Sequence, residues 1–190
     1  METPDPQELA EAASDPFKTY CALLVSVLAM VLALNNLGGS NTGKEATMNN
    51  ILAANTYSFY QAKSVRQTEY KLAADRIEMQ LSTEKPTGSA KELLEGKLAD
   101  YKKTIQRYDS EPETGEGKKE LLAKAKHLEE ERDLALRRDP WFDYAEGLLQ
   151  LAIVLTSVAI ITGRRAMFNV ALLLGLVGSL CTLNGYFLFY

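Results

Sequence analysis

The polar and apolar residues of this chain are sorted into blocks. No charged side chain falls between Tyr20 and Lys44, between Glu146 and Arg164, or between Arg165 and Tyr190. A helix crosses a bilayer with roughly 20 apolar residues, so the three blocks predict transmembrane helices over 18–37, 142–162 and 166–189. Only Gly163, Arg164, Arg165 and Ala166 join the last two, which are expected to form an antiparallel hairpin. Gly38, Gly39 and Ser40 are expected to stop the first.

The intervening segment, 38–141, reads as helices. Neither Gly nor Pro occurs over 45–81, and Tyr70, Ala74, Ile77 and Leu81 alternate steps of four and three. Leu94, Leu98, Tyr101, Ile105 and Tyr108 keep the same spacing, the signature of a helix that packs on another helix. Pro86 and Gly88, then Pro112 and Gly115, interrupt the pattern, and Pro140 is expected to end it. These marks predict helices over about 45–81, 90–108 and 117–138, with the short turn at 109–116 reversing the last two into antiparallel neighbours. The expected fold is an all-α integral membrane protein, with three transmembrane helices and an extramembrane three-helix, coiled-coil-like domain between the first and second spans.

Length adds a candidate contact surface. At 1.5 Å per residue the 45–81 helix reaches roughly 55 Å and either hairpin arm only about 30 Å. The uncovered part is expected to be 48–67, rich in Asn and aromatic residues, which singles out Asn55, Tyr57, Phe59, Tyr60, Gln61, Lys63, Arg66 and Gln67 as a surface for a second copy or another protein. Small residues at steps of four, three and four (Ala22, Ser26, Ala29, Ala33 in the first span; Ala152, Thr156, Ala159, Gly163 in the second) and Ala171, Gly175 and Ser179 in the third are candidate helix-packing positions. The Gly175 face is a further candidate for contact with a neighbouring chain. Trp141, Phe142 and Tyr144 at one end of the second span, and Arg164 and Arg165 at the other, suit the membrane interface.

Composition excludes more than it suggests. The 190 residues are 24% charged and 46% hydrophobic, averages that resemble a soluble globular chain only because they hide the blocks. A net charge of -4 gives no reason to expect a nucleic-acid partner. The tail 1–17 carries five acidic side chains and no basic one, whereas 37–141 balances 18 basic against 18 acidic residues, as in exposed helices laced with ion pairs. One histidine, His127, and two cysteines, Cys21 and Cys181, offer no usual metal site or disulfide framework, and no metal or cofactor is expected. Phosphate-binding glycine motifs, H-E-x-x-H, CxxC and G-x-S-x-G are absent, so no enzyme is expected. Asp143 and Glu146, at the entrance of the second span, are the sole acids inside the predicted spans, and Glu146 is the one to follow.

Arg164 and Arg165 in the short loop favour a cytoplasmic N-terminus, a 38–141 domain outside and a cytoplasmic Arg-Arg loop. An acidic rather than basic leading region argues against a cleaved signal peptide. The runs N-x-x-x-A-N-x-Y-x-x-Y-Q-A-K-S-V-R-Q (50–67) and E-E-E-R-D-x-A-L-R-R (129–138), with F-D-Y-A-E-G-L-L-Q-L-A-I-V-L and the Arg-Arg loop after it, resemble the DUF4337 family of bacterial membrane proteins of unknown function. The chain departs from typical members in having Tyr57 where tryptophan is usual and two loop arginines where three are frequent. The resemblance implies a bacterial inner-membrane location and three spans, and it points again to Tyr57, Tyr60, Gln61, Lys63, Arg66 and Gln67. The expected function is a non-enzymatic membrane scaffold or accessory subunit that partners lipid, itself or other membrane subunits; an oligomeric channel or transporter is the alternative.

Overall fold

A computed structural model describes residues 16–189, so all but the last two residues of the acidic tail lie outside the described part. Four helices follow in order, α1 (Pro16–Glu84), α2 (Ser89–Asp109), α3 (Lys118–Thr162) and α4 (Arg165–Phe187), with no strand among the described residues. Three of them, α1, α3 and α4, are long and apolar enough to cross a membrane. The chain divides into an apolar unit, 1–46 with 133–190, and a charged unit, 47–132. Both α1 and α3 contribute to both units.

Two expected helix ends do not occur. Gly38, Gly39 and Ser40 lie inside α1, and Pro140 lies inside α3. The glycines serve close packing: a Cβ on Gly38 would stand 2.5 Å from Phe142 Cε1 and 2.8 Å from the Tyr186 hydroxyl, so only hydrogen fits where the ring crosses α1. Pro140 sits on the exposed side of α3, where the missing N–H costs one helical hydrogen bond and the buried Ala135 and Phe142 hold the turns on either side.

The uninterrupted helix keeps one buried line. On α1 Cys21, Leu28, Asn35, Thr42, Asn49 and Lys63 are buried at multiples of seven residues, with Ala46, Ala53, Gln67 and Ala74 offset by four. On α3 Leu121, Ala135, Phe142, Leu149 and Thr156 do the same, with Ala145, Ala152 and Ala159 offset by three. Such spacing holds one face of a helix against a neighbour over many turns.

In the charged unit, α2 and α3 do not form the expected antiparallel hairpin. Going from Lys102 to Arg132 along the chain, the partners on α1 descend from Glu78 through Tyr70, Gln67, Lys63 and Tyr57 to Asn50. Both helices therefore run antiparallel to α1, one after the other, and 110–117 is a sideways step rather than a reversal. α3 covers the stretch of α1 that length arithmetic left bare, because that arithmetic assumed the arms lay side by side. α2 packs on α1 and meets α3 through the Asp109–Lys119 pair at its end, and none of its residues is fully buried. Tyr70 meets Tyr101 and Tyr108 edge to face at 5.4 and 5.8 Å, contacts of about 0.5–1.5 kcal/mol each.

In the apolar unit, Leu28, Ala145, Leu149 and Ala152 form the core, with Val31, Leu32 and Ile153 against it. Gly175 and Gly178 admit Leu28 and Leu149 respectively, which lets α4 approach closely. Gly175 is thus used within the chain rather than left for a neighbour. The stripe Ala22, Ser26, Ala29 and Ala33 is exposed and does not pack within the chain; the line Cys21, Leu28, Asn35 takes that role.

Candidate functional site

The signature stretch of α1 meets the step between α2 and α3. Lys63, 6% exposed, points into it. Its ammonium lies 3.4 Å from Glu116 and 4.0 Å from Glu111, and stands over the rings of Phe59 (5.1 Å) and Tyr108 (5.6 Å). Gln67, 4% exposed, donates to the Ile105 carbonyl (2.9 Å) and accepts from Lys118 (3.0 Å), whose ammonium lies over Tyr60. Tyr57 donates to Glu129 at 3.0 Å, and that bond to a carboxylate raises the Tyr57 pKa above its ordinary value. Each of these α1 side chains fastens a part of the chain that lies far along the sequence.

The step also closes on itself. Ser110 and the Glu111 N–H donate to Glu120 at 2.6 and 3.1 Å, which holds the Glu120 carboxyl below its usual range. Lys119 lies 2.9 Å from Asp109 and lowers the Asp109 pKa in the same way. Gly117 is buried against Ser110 and Glu111, and a Cβ there would meet the Ser110 Cα at 2.7 Å.

The eight residues read as one contact surface therefore split. Tyr57, Tyr60, Lys63 and Gln67 turn toward α2, α3 and the step, while Asn55, Phe59, Gln61 and Arg66 stay exposed. Lys63 and Gln67 are buried although polar side chains on a charged helix suggest a solvated face. The signal that separates them is their place on the two buried series of α1.

A second polar cluster lies in the apolar unit and has no counterpart among the expected site residues. Asn35, 1% exposed, donates to the Phe142 carbonyl (2.9 Å), and its Oδ1 faces the Thr182 hydroxyl (3.0 Å). The Thr182 proton is shared with the Gly178 carbonyl at 3.1 Å. Tyr186 donates to the Leu34 carbonyl at 2.9 Å, and its ring meets Phe142 edge to face at 5.1 Å. Phe142, expected at a membrane interface, is 2% exposed and belongs to this core, whereas Tyr144 is exposed beside Trp141. Arg164 and Arg165 are exposed. Of the other small residues, Ala152, Thr156, Ala159 and Ala171 are buried, Ser179 is half-buried, and Gly163 is exposed in the turn at φ +66°.

The carboxylates of Asp139, Asp143 and Glu146 line an open cleft of about 260 Å³ beside Asn35 and Asn36. Glu146 accepts from Gln150 at 2.9 Å. No group of three or more His, Cys, Asp or Glu among the described residues is arranged to hold a metal ion. His127 is exposed, 3.8 Å from Glu131. Cys21 and Cys181 are not joined in a disulfide.

The profile of a family described as Domain of unknown function (DUF4337) matches residues 17–188. The chain belongs to this family. No curated protein and no solved structure matches it. Within this DUF4337 chain the match spans all four helices, including the α1 stretch that binds the step and the α3 stretch that carries Glu129 and Phe142.

Proposed function

We propose that this DUF4337 protein is a non-enzymatic integral protein of the bacterial inner membrane. It acts as a homo-oligomeric scaffold or as an accessory subunit of a larger membrane complex. The apolar parts of α1, α3 and α4 cross the bilayer, and the charged unit stands outside as the assembly platform.

One observation carries this reading. In the charged unit Lys63, Gln67, Tyr57 and Glu120 are held by α2, α3 and the step, while large apolar side chains of α1, Met48, Ile51, Val65, Leu72 and Met79, are exposed. Inward polar and outward apolar residues suit a rigid surface for a partner. In the apolar unit Asn35, Thr182 and Tyr186 bond to one another's helices, as polar residues do when they join spans.

Purification in mild detergent followed by mass measurement tests the reading. A multiple of the chain mass, or a complex with a second membrane subunit, is the expected result; a strictly monomeric particle with no co-purifying protein would overturn it. Labelling of Thr114→Cys from outside intact cells checks the orientation, since exclusion of the reagent would put the charged unit in the cytoplasm.

A further inference from the structure

In α1 the exposed apolar residues of the charged unit are not scattered. Ile51, Val65, Leu72 and Met79 lie on one seven-residue series, and each is half or more exposed. Met48, Asn55 and Ala62 lie on a second series, offset by three. At about 100° per residue Val65 points roughly 160° away from both Lys63 and Gln67. The stripe is therefore a second helix-packing face, on the opposite side from the one that α2 and α3 cover.

We propose that the occupant of this face is the same face of a second copy, so that two α1 helices pair in parallel along the stripe. This rests on the membrane reading above, because two copies inserted in one bilayer have parallel α1 helices, and a two-fold axis along the membrane normal sets each residue against its own counterpart. Two alternating series offset by three are the pattern of a helix seam rather than of a flat surface. Asn55 occupies the series at which a buried asparagine meets its twin in a parallel pair, a contact that fixes register at some cost in stability. Nearer the tip the second series continues through Glu69 and Arg76, so the seam of the pair lies over 48–65, and beyond it only the first series continues apolar, through Leu72 and Met79. Leu52 and Phe59, 42% and 40% exposed, lie at the edge of the stripe and widen it. Independently, α1 exposes the small-residue stripe Ala22, Ser26, Ala29 and Ala33 in its apolar part, which permits close approach of another helix in lipid.

Disulfide trapping in native membranes tests the pairing. In a full-length Cys21→Ala, Cys181→Ala background, Asn55→Cys is oxidised and compared with Lys124→Cys, an exposed position on α3. The pairing requires a band at twice the monomer mass for Asn55→Cys and none for Lys124→Cys, since a disulfide forms only where the two Cα atoms come within about 7 Å. Val65→Glu should abolish the band in the Asn55→Cys chain while its circular dichroism stays unchanged. Absence of the Asn55→Cys band, equal bands at both positions, or a band that survives Val65→Glu would overturn the proposal. If the band is absent while a different membrane subunit co-purifies, the pairing fails and the assembly reading survives; a monomer with no partner removes both.

Discussion

Replacing Gly38 by alanine sets two opposed effects against each other. Alanine inside a helix is favoured over glycine by about 1 kcal/mol, because the unfolded chain loses less freedom. Against this, the new Cβ would stand 2.5 Å from Phe142 Cε1 and 2.8 Å from both Phe142 Cζ and the Tyr186 hydroxyl. The ring has little room to yield: Gly185 faces it so closely that a Cβ there would lie 2.9 Å away, and Asn35 holds the Phe142 carbonyl at 2.9 Å. Overpacking of this kind costs about 1–3 kcal/mol, and a contact so far below van der Waals distance on a ring confined from two sides belongs at the upper end. The net expectation is a loss of about 1–2 kcal/mol, or a few degrees in Tm for a chain of this size. Gly147→Ala in α3 is the control, since nothing lies within 4 Å of its Cβ; there the propensity effect acts alone and stability should rise by up to about 1 kcal/mol. Thermal unfolding in mild detergent, followed by circular dichroism, reads both. Phe142→Leu should cost less in the Gly38→Ala chain than in the parent, with a coupling above about 0.5 kcal/mol. If Gly38→Ala stabilises as much as Gly147→Ala does, α1 does not pack on Phe142 at this point, and the two glycines end a helix after all.

Asn35→Ala removes two polar contacts between helices and should lower stability by about 1–2 kcal/mol; Thr182→Val should cost less than Asn35→Ala in the same unfolding assay, because it leaves the Asn35 bond to Phe142 in place. Lys63→Met keeps the apolar stem and loses the ion pairs and ring contacts, an expected cost of about 1–2 kcal/mol that shrinks in high salt; an unchanged Tm at low salt would contradict the buried placement of Lys63. The folded pKa values of Asp109 and Glu120 are depressed, so their stabilisation is complete above the unfolded carboxylate range and is lost as pH falls through the folded values. Hydrogen exchange at 110–117 should accelerate, relative to its intrinsic rate, below about pH 4, and Glu120→Gln should show the faster exchange already at neutral pH. Tyr57 has the opposite sign: its raised pKa means that its contribution is present below the unfolded tyrosine value and is lost as pH rises through the folded one, which Tyr57→Phe should abolish in an alkaline titration.

The charge-free runs made the three apolar helices legible, because a block without Asp, Glu, Lys or Arg has few alternatives to burial or lipid. The signature around Tyr60 and Lys63 made the family legible. The course of α3 was not, since a turn of 110–117's length serves a reversal and a sideways step equally well, and what decides between them is where Lys63 and Gln67 find partners. Asn35 and Gly38 were hidden for a related reason: an asparagine and a glycine pair at the end of an apolar run resemble a helix stop, and it is Phe142, a hundred residues later in the chain, that gives them another use, its carbonyl bonding Asn35 and its ring filling the space over Gly38. A buried line that passes through Asn35, Thr42, Asn49 and Lys63 in step with Cys21 and Leu28 was available in the sequence, but its polar members concealed it.

Because α2 and α3 descend along α1 in turn, nearly every tertiary contact joins residues far apart in sequence: Gln67 waits 38 residues for Ile105, Tyr57 waits 72 for Glu129, and Asn35 waits 107 for Phe142 and 147 for Thr182. Helical proteins owe fast folding to local contacts, and this one has given that advantage up. At about 5–20 residues per second a ribosome takes roughly 7–30 s to complete the last of these pairs. During that interval the first helix is already made, with an unmet asparagine in its apolar part and an unmet lysine beyond it. Biogenesis of the protein is therefore a holding problem, and synthesis arrested before Phe142 should leave α1 dependent on the insertion machinery or on a chaperone until the returning helix arrives.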